Sequence, residues 1–292
     1  MNPRDKDTLH RFLFERTNVR GELVHLDASW QAALERKDYP APVRELLGQA
    51  FAAAAMLSAT IKFDGSLTLQ IQSSGPVSLL VVQATAGRNI RGLAHWHGAV
   101  VDGGFTDLVG SGRLAITIDS GAMGERYQGI VDLRQDSLAL CLEDYFRQSE
   151  QLATRLWLAA DAESAGGMLL QELPRATQDE DAWARDVYLG ETLRHDELLQ
   201  LPAREILHRL YHEEDVRLFE GEPVSFRCSC SRERIENMLR GLGPAEVQDI
   251  LQEQGRVRVD CEFCNQRYEF DPVDVEALFA AADQPEVPAT RH

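Results

Sequence analysis

The chain has 292 residues, of which 44% are hydrophobic and 26% charged, values typical of a folded protein with a substantial core. Its formal net charge of −17 disfavours binding to nucleic acid or to an anionic membrane, because both would repel it. The amino terminus lacks the apolar centre of a signal peptide, and the most apolar stretch, around residues 50–61, is too short to span a bilayer. The sequence therefore predicts a cytoplasmic protein with neither nucleic acid nor membrane as a partner.

Residues 1–175 are predicted to form an α+β core domain with an antiparallel-rich sheet. Apolar residues recur at helical spacing from Val43 to Ile61, and a strand of period two follows at 67–72. After a turn at Gly75-Pro76, the apolar run 77–82 is interpreted as a more deeply buried strand. Three further strands are predicted at 113–119, 127–133 and 154–160, and one further helix at 137–147.

The remaining segments are delimited by glycine, proline and charge. Gly166-Gly167 and Pro174 are interpreted as the end of the core domain. Residues 176–222 contain five arginines against thirteen acidic residues, and they are predicted to form an acidic helical linker whose apolar face needs a packing partner. Residues 223–280 are predicted to form a small C-terminal domain, and residues 281–292 a frayed tail.

The small domain shows clear helix and strand signals. Ser231 is suited to cap one helix, Gly243-Pro244 opens a second, and Gly255 ends it. Val257 and Val259 then alternate into a strand, and Arg267–Phe270 is predicted to be its hairpin partner.

Four of the five cysteines lie in this small domain, as Cys228-Ser229-Cys230 and Cys261-Glu262-Phe263-Cys264. Two close pairs on separate turns can supply the four thiolates of a closed tetrahedral zinc site. A unit of fewer than about 60 residues buries too little apolar surface to be robust alone, so loss of the metal should unfold it. We therefore predict one zinc ion bound by Cys228, Cys230, Cys261 and Cys264.

Oxidation offers a way to release such a metal. Thiolates react with oxidants, and the two cysteines of each pair are near enough in sequence to form a disulfide once the metal leaves. Most four-cysteine zinc sites are nevertheless structural, and zinc ribbons also occur in nucleic-acid-binding proteins. Against nucleic acid, residues 223–280 contain seven arginines and eleven acidic residues.

The other cysteine and the histidines that could take part in chemistry are interpreted as structural residues. Cys141 shares a helical face with apolar residues and is predicted to be buried and inert. His95 and His97 fall on one side of a strand, but no third ligand stands nearby in sequence. The sequence contains no phosphate-binding GxxxxGK[ST] loop, so ATP hydrolysis of that kind is not predicted.

The segments FRCSCSRERIENML, DCEFCNQRYEF, GERYQGIV, LEDYFRQSEQLATRLWL and AGGMLLQELP resemble the redox-regulated heat-shock chaperones, also called the 33 kDa chaperonin family. The similarity extends over nearly the whole chain. It implies a non-enzymatic, ATP-independent holdase that is inactive while reduced and zinc-loaded. It further implies that oxidative stress forms the disulfides Cys228–Cys230 and Cys261–Cys264, expels zinc and unfolds the linker. The protein then forms a homodimer and holds unfolding client proteins.

A melted linker would expose its apolar face. We expect client binding to involve Trp183, Val187, Ile206, Leu207, Leu210 and Tyr211. The simpler interpretation is that these six residues only pack against the core. Two alternative functions also remain: a constitutive zinc-ribbon binding module, and a thiol–disulfide oxidoreductase that uses Cys261 and Cys264.

Overall fold

The computed structural model describes residues 6–59, 65–101, 103–121, 124, 126–174, 179 and 181–280. The chain divides into two compact units, Met1–Arg227 and Cys228–His292. Helices and antiparallel sheets occur together, which confirms the predicted α+β class. Among the described residues, no helix is long and apolar enough to cross a membrane.

Two sheets organise the first unit. In chain order the strands are β1 (Thr8–Phe14), β2 (Val19–Leu26), β3 (Ser66–Ser73), β4 (Val77–Thr85), β5 (Asn89–Trp96), β6 (Gly112–Asp119), β7 (Arg126–Asp132), β8 (Thr154–Ala160), β9 (Ala165–Glu172), β10 (Val216–Leu218), β11 (Glu222–Pro223) and β12 (Ser225–Phe226). The strand order is β10-β1-β2-β9-β8 in one sheet, with β11 paired to β1, and β12-β5-β4-β3-β6-β7 in the other.

The main core of this unit lies around one helix. The helices are α1 (Ala28–Leu34), α2 (Ala41–Ser58), α3 (Phe105–Val109), α4 (Leu138–Tyr145), α5 (Ala182–Gly190), α6 (His195–Gln200) and α7 (Ala203–Tyr211). Helix α2 packs against strands of both sheets, so it is buried on nearly all sides. Its run of small alanines allows the two sheets to approach the helix closely, which explains why it is apolar all round.

Several predicted elements are confirmed. The strands expected at 67–72, 113–119, 127–133 and 154–160 correspond to β3, β6, β7 and β8. The long helix is α2, which begins at Ala41 and ends at Ser58; Ile61 lies outside the described residues. The helix expected at 137–147 is α4, followed by a π-helical turn over Phe146–Glu150.

Two predictions about the core are wrong. The run 77–82 is a strand, β4, as predicted, but it is not more deeply buried than its neighbour β3: its residues alternate between buried and half-buried, because only one face of this sheet packs against the core. Gly166 and Gly167 do not end an element but lie within β9. A Cβ on Gly166 would lie 2.8 Å from the carbonyl oxygen of Leu198, and one on Gly167 would lie 2.6 Å from the Met56 methyl. The glycines therefore allow close packing on both faces of the strand.

Helices α5 to α7 contribute to a second core cluster of the first unit. This cluster joins apolar residues of α6 and α7 to those of β1, β2 and β9, among them Phe12, Phe14 and Met168. The segment predicted as a linker thus packs on the first sheet over residues 182–211. The boundaries proposed for the core domain and linker stay predictions, as does the frayed tail, which lies outside the described residues.

The second unit contains α8 (Arg232–Leu242), α9 (Pro244–Gln254), β13 (Val257–Asp260), β14 (Arg267–Phe270) and α10 (Pro272–Ala280). Strands β13 and β14 pair antiparallel, as predicted. The Ser231 hydroxyl accepts a hydrogen bond from the Arg234 N–H, and Gly255 adopts a left-handed conformation at the end of α9 (φ 75°). Within residues 228–280, the core comprises six buried side chains: Leu239, Val247, Val257, Phe270, Val275 and Leu278.

Candidate metal centre

The CxC pair lies immediately before helix α8. Ser231, which caps this helix, directly follows Cys230, so the cap fixes the direction in which the chain enters the helix. The Arg234 guanidinium donates hydrogen bonds to the carbonyl oxygen of Ser229 at 2.9 Å and to its hydroxyl at 2.7 Å. The residue between the two cysteines is therefore tied to the first turn of α8.

The CxxC pair forms the turn of the β13–β14 hairpin. The N–H groups of Cys264 and Asn265 both donate to the carbonyl oxygen of Cys261, at 3.3 and 2.7 Å. Asn265 completes the turn with a left-handed conformation (φ 54°). A redox-catalytic CxxC normally opens a helix after a strand, whereas this pair sits between two strands. The local geometry therefore favours a metal-binding turn over an oxidoreductase site.

The fold brings the four sulfurs together. All four Sγ atoms lie within 4.8 Å of one another, and no other such group of three or more His, Cys, Asp or Glu ligands occurs among the described residues. The Cys228 and Cys261 sulfurs are 3.6 Å apart, and those of Cys230 and Cys264 are 3.3 Å apart. Four sulfurs at about 2.3 Å from a tetrahedral zinc ion would be separated by about 3.8 Å. The donor set and its spacing fit a tetrahedral metal ion.

The electrostatics of the cluster also fit a cation. Burial raises the pKa of the Cys261 thiol and of the Cys264 thiol, although backbone N–H groups oppose this at both sulfurs. Four neighbouring thiols cannot all ionise without a compensating positive charge, and a bound divalent cation supplies it. The four cysteines are thus positioned to hold a metal ion.

Comparison with known proteins places the chain in a family. A family model described as Hsp33 protein matches residues 7–271. The 33 kDa chaperonin of Nitrosococcus oceani is 55% identical over 288 residues, covering 99% of both chains. That of Methylobacillus flagellatus is 49% identical and covers 94% of both. The chain belongs to the Hsp33 family. The crystal structure of the Hsp33 homologue from Thermotoga maritima shares the fold, with a TM-score of 0.81 at 24% identity, covering 95% of this chain and all of that one.

The remaining cysteine and histidine candidates lie in the first unit. Cys141 is fully buried in α4, as predicted, and burial raises the pKa of its thiol. His95 lies near the end of β5, next to Trp96. The ammonium of Lys37 lies 4.4 Å from the centre of the Trp96 ring, so this end of the strand has a structural cation–π contact.

Five of the six residues proposed to bind clients belong to the second core cluster of the first unit. Ile206, Leu207, Leu210 and Tyr211 are buried members, and Trp183 packs against them. Val187 is half-buried on α5, whose buried face instead comprises Ala182, Asp186 and Gly190. In the described structure, most residues of this apolar face are packed in the second core cluster. That they bind clients stays a prediction.

Asp186 is a charged residue within this packed face. Its side chain is fully buried, and neither carboxyl oxygen has a hydrogen-bond partner among the described residues. Burial raises the pKa of Asp186 to about 7, and the nearby Glu214 carboxylate acts in the same direction. No sequence pattern marked this residue, because its position on α5 resembles that of an ordinary exposed acid.

We expect Asp186→Asn to make the packing of α5 stronger, and more so as the pH rises. The unfolded carboxyl ionises near pH 4, whereas the buried one keeps its proton up to about pH 7. The wild-type folded state therefore loses about 1.4 kcal/mol of stability per pH unit between these values, and the asparagine variant does not. Hydrogen exchange of residues 182–211 at pH 5, 6 and 7 measures the difference. A gain that is the same at every pH would contradict this expectation.

Proposed function

We propose that this chain is a redox-regulated, ATP-independent holdase whose C-terminal zinc site keeps it inactive. The observation that carries the proposal is the convergence of four sulfurs from two separate turns in a unit whose described residues, up to 280, include only six buried apolar side chains in its core. Membership of the Hsp33 family supports the chaperone part. A bound zinc ion would hold the four sulfurs as thiolates and link the CxC segment to the hairpin turn.

Oxidation then acts on the cysteines as two pairs. In each pair one thiolate attacks a peroxide oxygen, which gives a sulfenic acid and hydroxide. The second thiolate attacks that sulfur, displaces a second hydroxide and forms the disulfide, so two electrons from the sulfurs reduce one peroxide. We propose the pairs Cys228–Cys230 and Cys261–Cys264. These local disulfides remove the charged donors that bind the metal and leave the two segments unlinked.

Disulfides between the CxC segment and the hairpin turn, in place of the local pairs, would keep the unit closed. The shortest sulfur contacts join Cys228 to Cys261 and Cys230 to Cys264. Disulfides between these partners would connect the CxC segment to the hairpin covalently, and the unit would stay closed after oxidation. Formation of the local pairs is therefore essential to the proposed activation, and peptide mapping of the oxidised chain distinguishes the two patterns.

Activation further requires a surface for clients. We propose that opening of the C-terminal unit leads the segment 182–211 to unpack, which exposes the six apolar residues from Trp183 to Tyr211 named above. Exposed apolar surface binds unfolding proteins without a need for ATP. The same exposure favours association of two chains, and we propose that the oxidised form is a homodimer.

We expect peroxide at mildly elevated temperature to release zinc, oxidise four thiols and suppress aggregation of a heat-denatured client. Zinc release, free thiols and light scattering are measured on the same sample. Cys141→Ala serves as a matched control, because its thiol is buried far from the cluster in sequence and should leave all three readings unchanged. If zinc leaves and aggregation proceeds unhindered, the switch is refuted. Turnover of a disulfide substrate would instead support the oxidoreductase.

A further inference from the structure

Hydrogen-bond donors of two kinds, backbone and side chain, contact the sulfurs of the metal centre. In the hairpin turn, the Cys261 sulfur accepts from the N–H groups of Phe263 and Cys264, and the Cys264 sulfur from the N–H of Gln266. These donors come from the backbone because the CxxC turn wraps around its own sulfurs. They are present whatever side chains the turn carries.

In the CxC pair, the sulfur of Cys230 has a side-chain donor. The Tyr268 hydroxyl donates a hydrogen bond to the Cys230 sulfur at 3.2 Å. Tyr268 lies on β14 opposite Val259 of β13, and both side chains pack at the edge of the small core. The packing of the hairpin therefore places the Tyr268 hydroxyl next to the Cys230 sulfur, which lies 38 positions earlier in the sequence.

We propose that Tyr268 is a positioning residue of the metal centre, whose hydroxyl holds the Cys230 sulfur towards its three partners and disperses its negative charge. This inference rests on the proposed metal site. Four thiolates around a divalent cation carry a net charge of −2, so a donor to one sulfur reduces their mutual repulsion. Removal of such an outer hydrogen bond typically lowers metal affinity by about 10- to 100-fold.

The hydrogen bond from Tyr268 to the Cys230 sulfur should also change how fast this sulfur reacts with oxidants. A thiolate that accepts a hydrogen bond is a weaker nucleophile, so the hydroxyl should slow attack of the Cys230 sulfur on peroxide. A disulfide sulfur carries no charge and is a poor acceptor, so the contact weakens once Cys230 is oxidised. Tyr268 therefore favours the reduced, metal-binding arrangement over the oxidised one.

The test uses the full-length reduced chain and the variant Tyr268→Phe, which removes only the hydroxyl. We expect zinc affinity, measured by competition with a chromophoric chelator, to fall about tenfold. In the Co²⁺-substituted chain, the sulfur-to-metal charge-transfer bands should shift, because the electron density at the Cys230 sulfur changes. Zinc release by peroxide should become several-fold faster. Tyr188→Phe is the matched control, since Tyr188 is 74% exposed and lies in the first unit.

A second variant separates the hydrogen bond from packing. Val259→Ala removes packing opposite Tyr268 and keeps the hydroxyl, so its Co²⁺ spectrum should match that of the unaltered chain. An unchanged affinity and spectrum in Tyr268→Phe would overturn the inference and leave the metal site intact. Equal loss of affinity in both variants without any spectral shift would also overturn it, because packing alone would then explain the loss. Failure of the unaltered chain to bind either metal would refute the proposed site itself.

Discussion

Replacing Cys261 and Cys264 together by serine is expected to unfold the second unit and to unpack residues 182–211, while the main core of the first unit around α2 stays folded. The variant retains all six buried apolar side chains of the small core, so any loss of structure arises from the missing sulfurs. Structural zinc contributes about 10–16 kcal/mol of apparent binding free energy in small zinc-finger peptides. That is comparable to the stability of an entire domain, about 5–15 kcal/mol. Six core residues cannot replace it.

Hydrogen exchange resolves the two units in one experiment. Amides of α8, α9 and β13 should exchange at nearly unprotected rates in the double serine variant, whereas those of α2 should keep their protection. Cys141→Ala is again the matched control: it removes a fully buried thiol from the first unit and should leave exchange in α8 and α9 unchanged. Persistent protection of the second unit in the double variant would show that the metal does not support the fold.

Gly190→Val is expected to activate client holding without oxidation. A Cβ at Gly190 would lie 2.7 Å from the Trp157 indole of β8 and 3.0 Å from the Tyr211 hydroxyl. The Tyr211 hydroxyl donates to the carbonyl oxygen of Asp186 in the same buried region, so it cannot move without breaking that hydrogen bond. Overpacking of this kind typically costs about 1–3 kcal/mol, and a valine adds two methyl groups to the clash. Helix α5 should therefore lose its packing on the sheet.

The measurement is light scattering of a heat-denatured client with the reduced, zinc-loaded variant. Gly241→Val is the matched control, since nothing lies within 4 Å of a Cβ at Gly241, and it should stay inactive when reduced. Adding Leu207→Ser and Leu210→Ser to Gly190→Val should abolish the gain if these residues contact clients. Full activity of the triple variant would exclude them from the client surface, and an inactive Gly190→Val chain would argue against activation by unpacking.

The second unit was largely predictable because its signals are local. Ser231, Gly243-Pro244 and Gly255 bound the two helices where expected, and the alternation at Val257 and Val259 predicted β13. Cysteine spacing alone identified the four candidate ligands. The contact of Tyr268 with Cys230 had no such signal, because it depends on how the hairpin packs against a distant segment.

The first unit was less predictable because tertiary packing overrides its local patterns. Strands β1, β2 and β9 were not predicted, and β5 was predicted only around His95. In β2 both faces are covered, so the period-two alternation disappears, and the buried Glu22 and His25 make the strand look polar. In β9 the adjacent glycines resemble a turn, although they serve close packing within a strand. The close approach of Gly190 to Trp157 likewise joins residues that no sequence pattern connects.

The metal content of the reduced chain tests the central claim most directly. Native mass spectrometry of the protein purified without added metal should show one zinc ion per chain. After peroxide treatment the chain should carry no zinc, and its mass should be four hydrogens lower than that of the reduced, metal-free chain. A reduced chain that carries no metal, while α8, α9 and the hairpin remain protected from hydrogen exchange, would contradict the account.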